Sequence, residues 1–96
     1  MLFAFICTDK PNSVDLRLKL RPDHLKHLEG LGTKLKLAGP FTNDEGSPIG
    51  SLVIVDAESR AAAEKIAAAD PYAKEGLFAS VEVRAWKWTI GNPETK

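Results

Sequence analysis

Seven side chains in this sequence have types and positions that could do chemistry: Cys7, Arg17, Arg21, His24, His27, Asp70 and Tyr72. His24 follows Arg21-Pro22-Asp23. Proline suits the first position of a helix, so the spacing predicts a helix opening at Pro22 with His24 in its first turn. The positive end of a helix dipole disfavours a second positive charge there. That would keep the imidazole neutral, as a general base requires. Asp70 stands directly before Pro71-Tyr72. It is a good cap for the turn that follows, and it could also orient His24 and stabilise its protonated form. A carboxylate has acceptor sites enough for both tasks. The two residues are far apart in the chain, and the pattern alone does not bring them together.

The other candidates carry less. His24 and His27 form a His-x-x-His pair of helical neighbours, but no third and fourth ligand stands in a matching motif, so no metal is expected. Cys7 lies mid-strand among apolar residues and reads as a small core residue rather than a nucleophile. Arg17 and Arg21 stand one helical turn apart and could hold a carboxylate or phosphate, although exposed arginines need no such role. Tyr72 could donate a hydrogen bond in the same pocket. The sequence contains no Gly-x-Gly-x-x-Gly, Walker A, Gly-x-Ser-x-Gly or Cys-x-x-Cys motif, and no cofactor is expected.

These residues must be placed by a small set of elements. Residues 2–8 are aromatic and β-branched and stop at Asp9-Lys10-Pro11-Asn12, which reads as a strand with a clear end. Ser13 is the expected cap of a short helix, Val14 to Leu20. Pro22 then opens a second helical segment to Glu29, with Leu25 and Leu28 on its buried side. Thr33 to Gly39 alternates as a second strand, Leu35 and Leu37 against Lys34 and Lys36. Residues 40–50 are turn formers, and Ser51 to Asp56 is the third strand. Ser59 caps an alanine-rich helix to about Ala69, on which Arg60 and Glu64 can pair. Pro71 to Gly76 is a further turn, Ser80 to Ile90 a long last strand, and residues 91–96 a polar tail. The order β-α-β-β-α-β is the ferredoxin-like α+β pattern, a four-stranded antiparallel sheet with its helices on one face, in one domain spanning residues 1–96.

The other sheet face is informative. The first strand is apolar on both sides: Phe3, Phe5 and Cys7 alternate with Ala4 and Ile6. The last strand sets Val81, Val83 and Ala85 against Glu82, Arg84, Trp86 and Trp88. An apolar face of that size marks a contact surface, and a homodimer packed sheet to sheet is expected. The alternative is that the tail and the 40–50 loop cover the tryptophans.

Composition narrows the class. Thirteen basic and thirteen acidic residues cancel, so no net field favours nucleic acid or acidic lipid. The apolar start, Met1 to Cys7, lacks a basic flank and ends too early for a signal peptide, and no run approaches a membrane helix. A cytoplasmic protein with no nucleic-acid and no membrane partner is expected. A single cysteine excludes an internal disulfide.

Several stretches, in order, resemble the YciI (YCII-related) family: the first strand ending in Asp9-Lys10; Ser13-Val14 with Arg17-Leu18; Arg21-Pro22-Asp23-His24-Leu25; Ala38-Gly39-Pro40; Gly46 to Gly50; and Ala68-Ala69-Asp70-Pro71-Tyr72 with Gly76-Leu77 beyond. The resemblance implies a ferredoxin-like fold that dimerises as an α/β barrel. It also implies that His24 and Asp70 form an active-site pair. Related dimeric barrels act on small, often hydroxylated aromatic or lactone compounds, as isomerases, lyases or cofactor-free oxygenases, an analogy of fold that does not transfer a reaction.

Two functions follow. In the first, the protein is a cofactor-free enzyme on a small aromatic or acidic molecule. His24 moves a proton in an elimination or isomerisation, Asp70 holds its tautomer, and Arg17, Arg21 or Tyr72 anchors the substrate. In the second, it is a non-catalytic module that binds a small ligand or a protein, with a structural His–Asp contact. Nucleic-acid binding through the sheet, known for some ferredoxin-like domains, is disfavoured by the neutral charge.

Overall fold

In the computed structural model, which describes residues 1–93, the elements run β1 (Leu2–Asp9), α1 (Val14–Gly30), β2 (Leu35–Thr42), β3 (Pro48–Asp56), α2 (Arg60–Ala69), the short α3 (Pro71–Lys74) and β4 (Phe78–Trp86). The strands form one antiparallel sheet in the order β2-β3-β1-β4, the ferredoxin-like arrangement. Residues 94–96, the end of the expected polar tail, lie outside the described residues.

The sheet is built around β1 because β1 is apolar on both faces. Phe3, Phe5 and Cys7 point toward the helices and join Val53, Val55, Leu28, Ala63 and Ala67 in the main core. Ala4 and Ile6 point the other way, opposite Ile54 and Leu52 of β3 and Arg84 and Glu82 of β4. Where Gly50 of β3 pairs with Thr8 of β1, a side chain at Gly50 would collide with the Cys7 carbonyl oxygen, so only glycine fits.

Helix α1 corrects the sequence reading. Two segments broken at Pro22 are expected, but a single helix passes through the proline. Proline removes the hydrogen bond to the carbonyl four residues back, at Leu18. Leu18 and Pro22 are both exposed, so water can serve that carbonyl. On the opposite side Arg17, Leu20, His24 and Leu28 form one buried stripe that spans the proline and anchors both halves. His24 therefore lies in the middle of α1 and not at a helix start, and the dipole argument for its neutrality falls away. Leu25 is on the exposed side rather than the buried one. Ser13 flanks the helix, but its hydroxyl donates to the Pro11 carbonyl instead of capping.

Other boundaries shift for local reasons. The 40–50 loop is shorter than expected, since β2 runs on to Thr42 and β3 begins at Pro48. The turn between them is closed by the Asn43 side chain, which accepts from the Glu45 and Ser47 amides, with Gly46 at φ 87°. An irregularity between Leu35 and Leu37 puts Leu35 opposite Val55 on the helix side and Leu37 opposite Ile54 on the open side, so the two do not share a face. Strand β4 stops at Trp86 rather than Ile90, because its only partner, β1, has run out at Leu2 opposite it. Ser59 caps α2 as expected, accepting from the Ala62 amide at 3.1 Å. Arg60 does not pair with Glu64 among the described residues; it donates to the Val83 carbonyl at 2.6 Å.

The face away from the helices carries a mostly apolar depression bordered by Ala4, Ile6, Leu37, Leu52, Ile54 and Trp86, with Arg84 at its wall. Trp86 is 39% exposed, and its ring lies 5.7 Å from that of Trp88. No helix among the described residues is long and apolar enough to cross a membrane.

Candidate active site

Asp70 sits at the joint of two helices. It ends α2 and caps α3, where its Oδ1 accepts the Tyr72 amide at 3.0 Å. Proline at position 71 suits this joint, because it is pre-set for the first helical position and has no amide to leave unpaired. The same carboxylate reaches across to α1. His24 Nδ1 lies 2.9 Å from Oδ1 and 2.8 Å from Oδ2. Both residues are about nine-tenths buried. Capping and pairing are thus carried by one side chain.

The pairing settles the imidazole's orientation. An ionised carboxylate only accepts, so Nδ1 must carry the proton, and Nε2 of a neutral ring keeps its lone pair. Nε2 has no hydrogen-bond partner among the described residues, and His24 lines a cavity beside α1. A donor-held imidazole with a free basic nitrogen at a cavity is the arrangement that general-base chemistry requires.

Tyr72 is the centre of the cluster and is almost fully buried. His24 stacks on one side of its ring, centroids 4.0 Å apart and planes within 15°. The Arg17 guanidinium lies 4.6 Å from the ring centroid. Phe78 closes an edge at 5.8 Å. Burial raises the Tyr72 pKa, the nearby Arg17 charge opposes that, and the net shift is upward. The phenol stays protonated and remains a donor.

Arg17 is not an exposed arginine. It is 5% exposed and bound by two side chains that sequence reasoning did not place in the site. Asp9, at the end of β1, accepts from Nε at 2.7 Å and from Nη2 at 3.0 Å, and Ser51 on β3 accepts from Nη2 at 2.7 Å. Burial pulls the Arg17 pKa down, but the hydrogen bond and charge of Asp9 outweigh it, so the net shift is upward. The guanidinium is a fixed cation with a matched counter-charge, the condition under which a buried charge is tolerable. A carboxylate at a strand end eight residues before an arginine was the signal for Asp9. For Ser51 the only hint was a small polar residue opening an otherwise apolar strand.

These groups wall a cavity of ≈ 240 Å³ between α1 and the β2–β3 hairpin. Arg17, Arg21, His24 and Tyr72 all line it, so four of the five expected site residues meet there and Asp70 stands behind His24. The rest of the wall is mostly apolar, from Leu18, Leu25 and Leu28 on α1 to Pro40 and Pro48 on the hairpin. Cys7 is in the core, and burial, aided by the Asp70 charge, pushes its thiol up to about 12, so it is no nucleophile at neutral pH. His27 borders a separate, much smaller space. Among the described residues no group of three His, Cys, Asp or Glu side chains is arranged to hold a metal.

Known proteins share this arrangement of chain. Protein YciI of Escherichia coli O6:H1 is 39% identical over 95 residues, covering 91% of this chain and 97% of that protein. Among solved structures, 5-chloro-2-hydroxyhydroquinone dehydrochlorinase (TftG) from Burkholderia phenoliruptrix, in complex with 2,5-dihydroxybenzoquinone, superposes with a TM-score of 0.83 at 35% identity, covering 91% of this chain and 94% of that one. A NIPSNAP family protein from Agrobacterium tumefaciens, at 18% identity and a TM-score of 0.59, shares the fold alone. The model of the YCII-related domain matches residues 1–87. The chain belongs to the YCII-related (YciI) family.

Proposed function

We propose that this protein is a cofactor-free enzyme that uses His24 and Asp70 to move a proton on a small, single-ring, hydroxylated or acidic molecule. The observation that carries the reading is the buried His24–Asp70 hydrogen bond, which leaves Nε2 free at the wall of a cavity. In the proposed reaction Nε2 takes a proton from the substrate, and Asp70 stabilises the imidazolium that forms. The electron pair left behind expels a leaving group from a neighbouring carbon, and the proton departs with it as acid. Without a leaving group, His24 returns the proton at another position and the outcome is isomerisation. Neither course needs an oxidant or a reductant.

The size of the cavity supports a small substrate. At ≈ 240 Å³ it lies below the roughly 300–1,000 Å³ typical of sites for drug-sized ligands. The related TftG is a dehydrochlorinase solved with a dihydroxybenzoquinone, which supports elimination from a hydroxylated ring as the reaction class. Tyr72, Arg17 and Arg21 are proposed to hold the substrate's oxygen substituents. A second copy of the chain is proposed to cover the open sheet face, giving a dimeric α/β barrel; the exposed Trp86 and Leu37 on that face support it.

The test is turnover of a panel of chlorinated hydroxyhydroquinones, followed by chloride release. The wild type should release chloride, and His24→Gln should lose about 10²–10⁴-fold in kcat/KM, the range for a positioned general base. Full activity in His24→Gln would refute the mechanism. Binding without turnover in the wild type would favour a non-catalytic ligand-binding module.

A further inference from the structure

The ionisable residues lining the cavity are Arg17, Arg21, His24 and Tyr72, and no Asp or Glu side chain is among them. The two nearby carboxylates stand behind this wall and are engaged: Asp9 holds Arg17, and Asp70 holds His24 and the Tyr72 amide. Of the two arginines, then, one has its counter-ion and the other has none. Arg21 is exposed, lines the cavity, and forms no ion pair among the described residues. Its charge is felt at Tyr72, whose phenol it lowers against the upward effect of burial.

The helix fixes where Arg21 stands. Leu18, Arg21 and Leu25 share the outer stripe of α1 at the cavity, with Leu18 and Leu25 both exposed, while Arg17, His24 and Leu28 form the inner stripe. Residues three apart on a helix have Cβ atoms about 5–6 Å apart. The Cβ atoms of Arg21 and His24 are therefore about the width of one six-membered ring apart, with Arg21 on the exposed side and His24 on the buried side.

Resting on the reading of the cavity as a substrate site, we infer that Arg21 is its charge selector: the substrate is a single-ring anion, bound with its charged oxygen at the mouth on Arg21 and its reacting position at His24. A carboxylate or an ionised enol or phenol on the ring supplies such an oxygen, and a guanidinium binds it through paired N–H donors. A neutral ring of the same size would fill the apolar walls and leave the Arg21 charge unmatched.

The experiment is calorimetric binding of two probes, 2,5-dihydroxybenzoquinone, an acidic enol that is anionic at neutral pH, and hydroquinone, which is neutral. Wild type, Arg21→Gln and Arg21→Lys are compared at low and at high salt, with circular dichroism to verify the fold. Wild type should prefer the anion. Arg21→Gln should weaken the anion about tenfold or more and change the neutral ring by less than about twofold, while Arg21→Lys should recover part of the loss. Equal weakening of both probes, or no change with Arg21→Gln, overturns the inference and leaves the site itself standing. Failure of the wild type to bind either ring overturns the substrate reading and this inference with it.

Discussion

At the scale of single residues the site is one ion pair and one carboxylate–imidazole hydrogen bond around one ring. Tyr72 has the Asp9–Arg17 pair on one side and the Asp70–His24 pair on the other. The Asp9–Arg17 pair can be tested as structure. Asp9→Asn removes the counter-charge and leaves a cation 5% exposed, so the free energy of unfolding in urea should drop by about 3 kcal/mol. Arg17→Met in the same chain should restore part of it, since an apolar side chain of similar volume carries no charge to bury. An Asp9→Asn variant as stable as wild type would mean that Arg17 escapes to solvent. The sequence displayed the types needed for the second pair, and Asp70-Pro71 displayed the cap. It could not display the contact between His24 and Asp70, because that contact spans 46 positions and depends on how α1 and α3 lie together on the sheet. Asp9, eight residues before Arg17, reads in the sequence as the end of a strand, and its pairing depends on how α1 lies beside that end.

At the scale of elements, the strands were legible because each is bounded by turn residues and β1 is apolar on both faces. Helix α1 runs through Pro22, where the sequence pattern predicts a break. Local propensity argued for a break, and the buried stripe from Arg17 to Leu28 overrode it. That override has a measurable cost. Pro22→Ala restores a backbone hydrogen bond on the exposed side and should stabilise the protein by about 1–3 kcal/mol, read as a higher urea midpoint at unchanged slope. A loss of stability would show that the proline ring itself supports the fold. The end of β4 was misread because alternation continues in the sequence after the neighbouring strand has ended.

At the scale of the whole molecule, the depression on the open sheet face and the Trp86–Trp88 pair argue for a second copy. Light scattering should give about twice the 10.4 kDa chain mass, and Trp86→Glu should return the protein to one chain with His24 and Asp70 still joined. A wild type that stays at one chain mass at high concentration would remove the barrel from the account. The cavity lies on the other side of the sheet, between α1 and the β2–β3 hairpin.

In the proposed mechanism Asp70 fixes the His24 ring with its proton on Nδ1 and its lone pair on Nε2. The most direct measurement is ¹⁵N NMR of the histidine ring nitrogens, at a pH high enough that the ring is neutral, in wild type and in Asp70→Asn. Wild-type His24 should show a protonated Nδ1 and an unprotonated Nε2, with the tautomer shifting or mixing when the carboxylate becomes an amide. A wild-type His24 with its proton on Nε2, or a tautomer unmoved by Asp70→Asn, would contradict the mechanism.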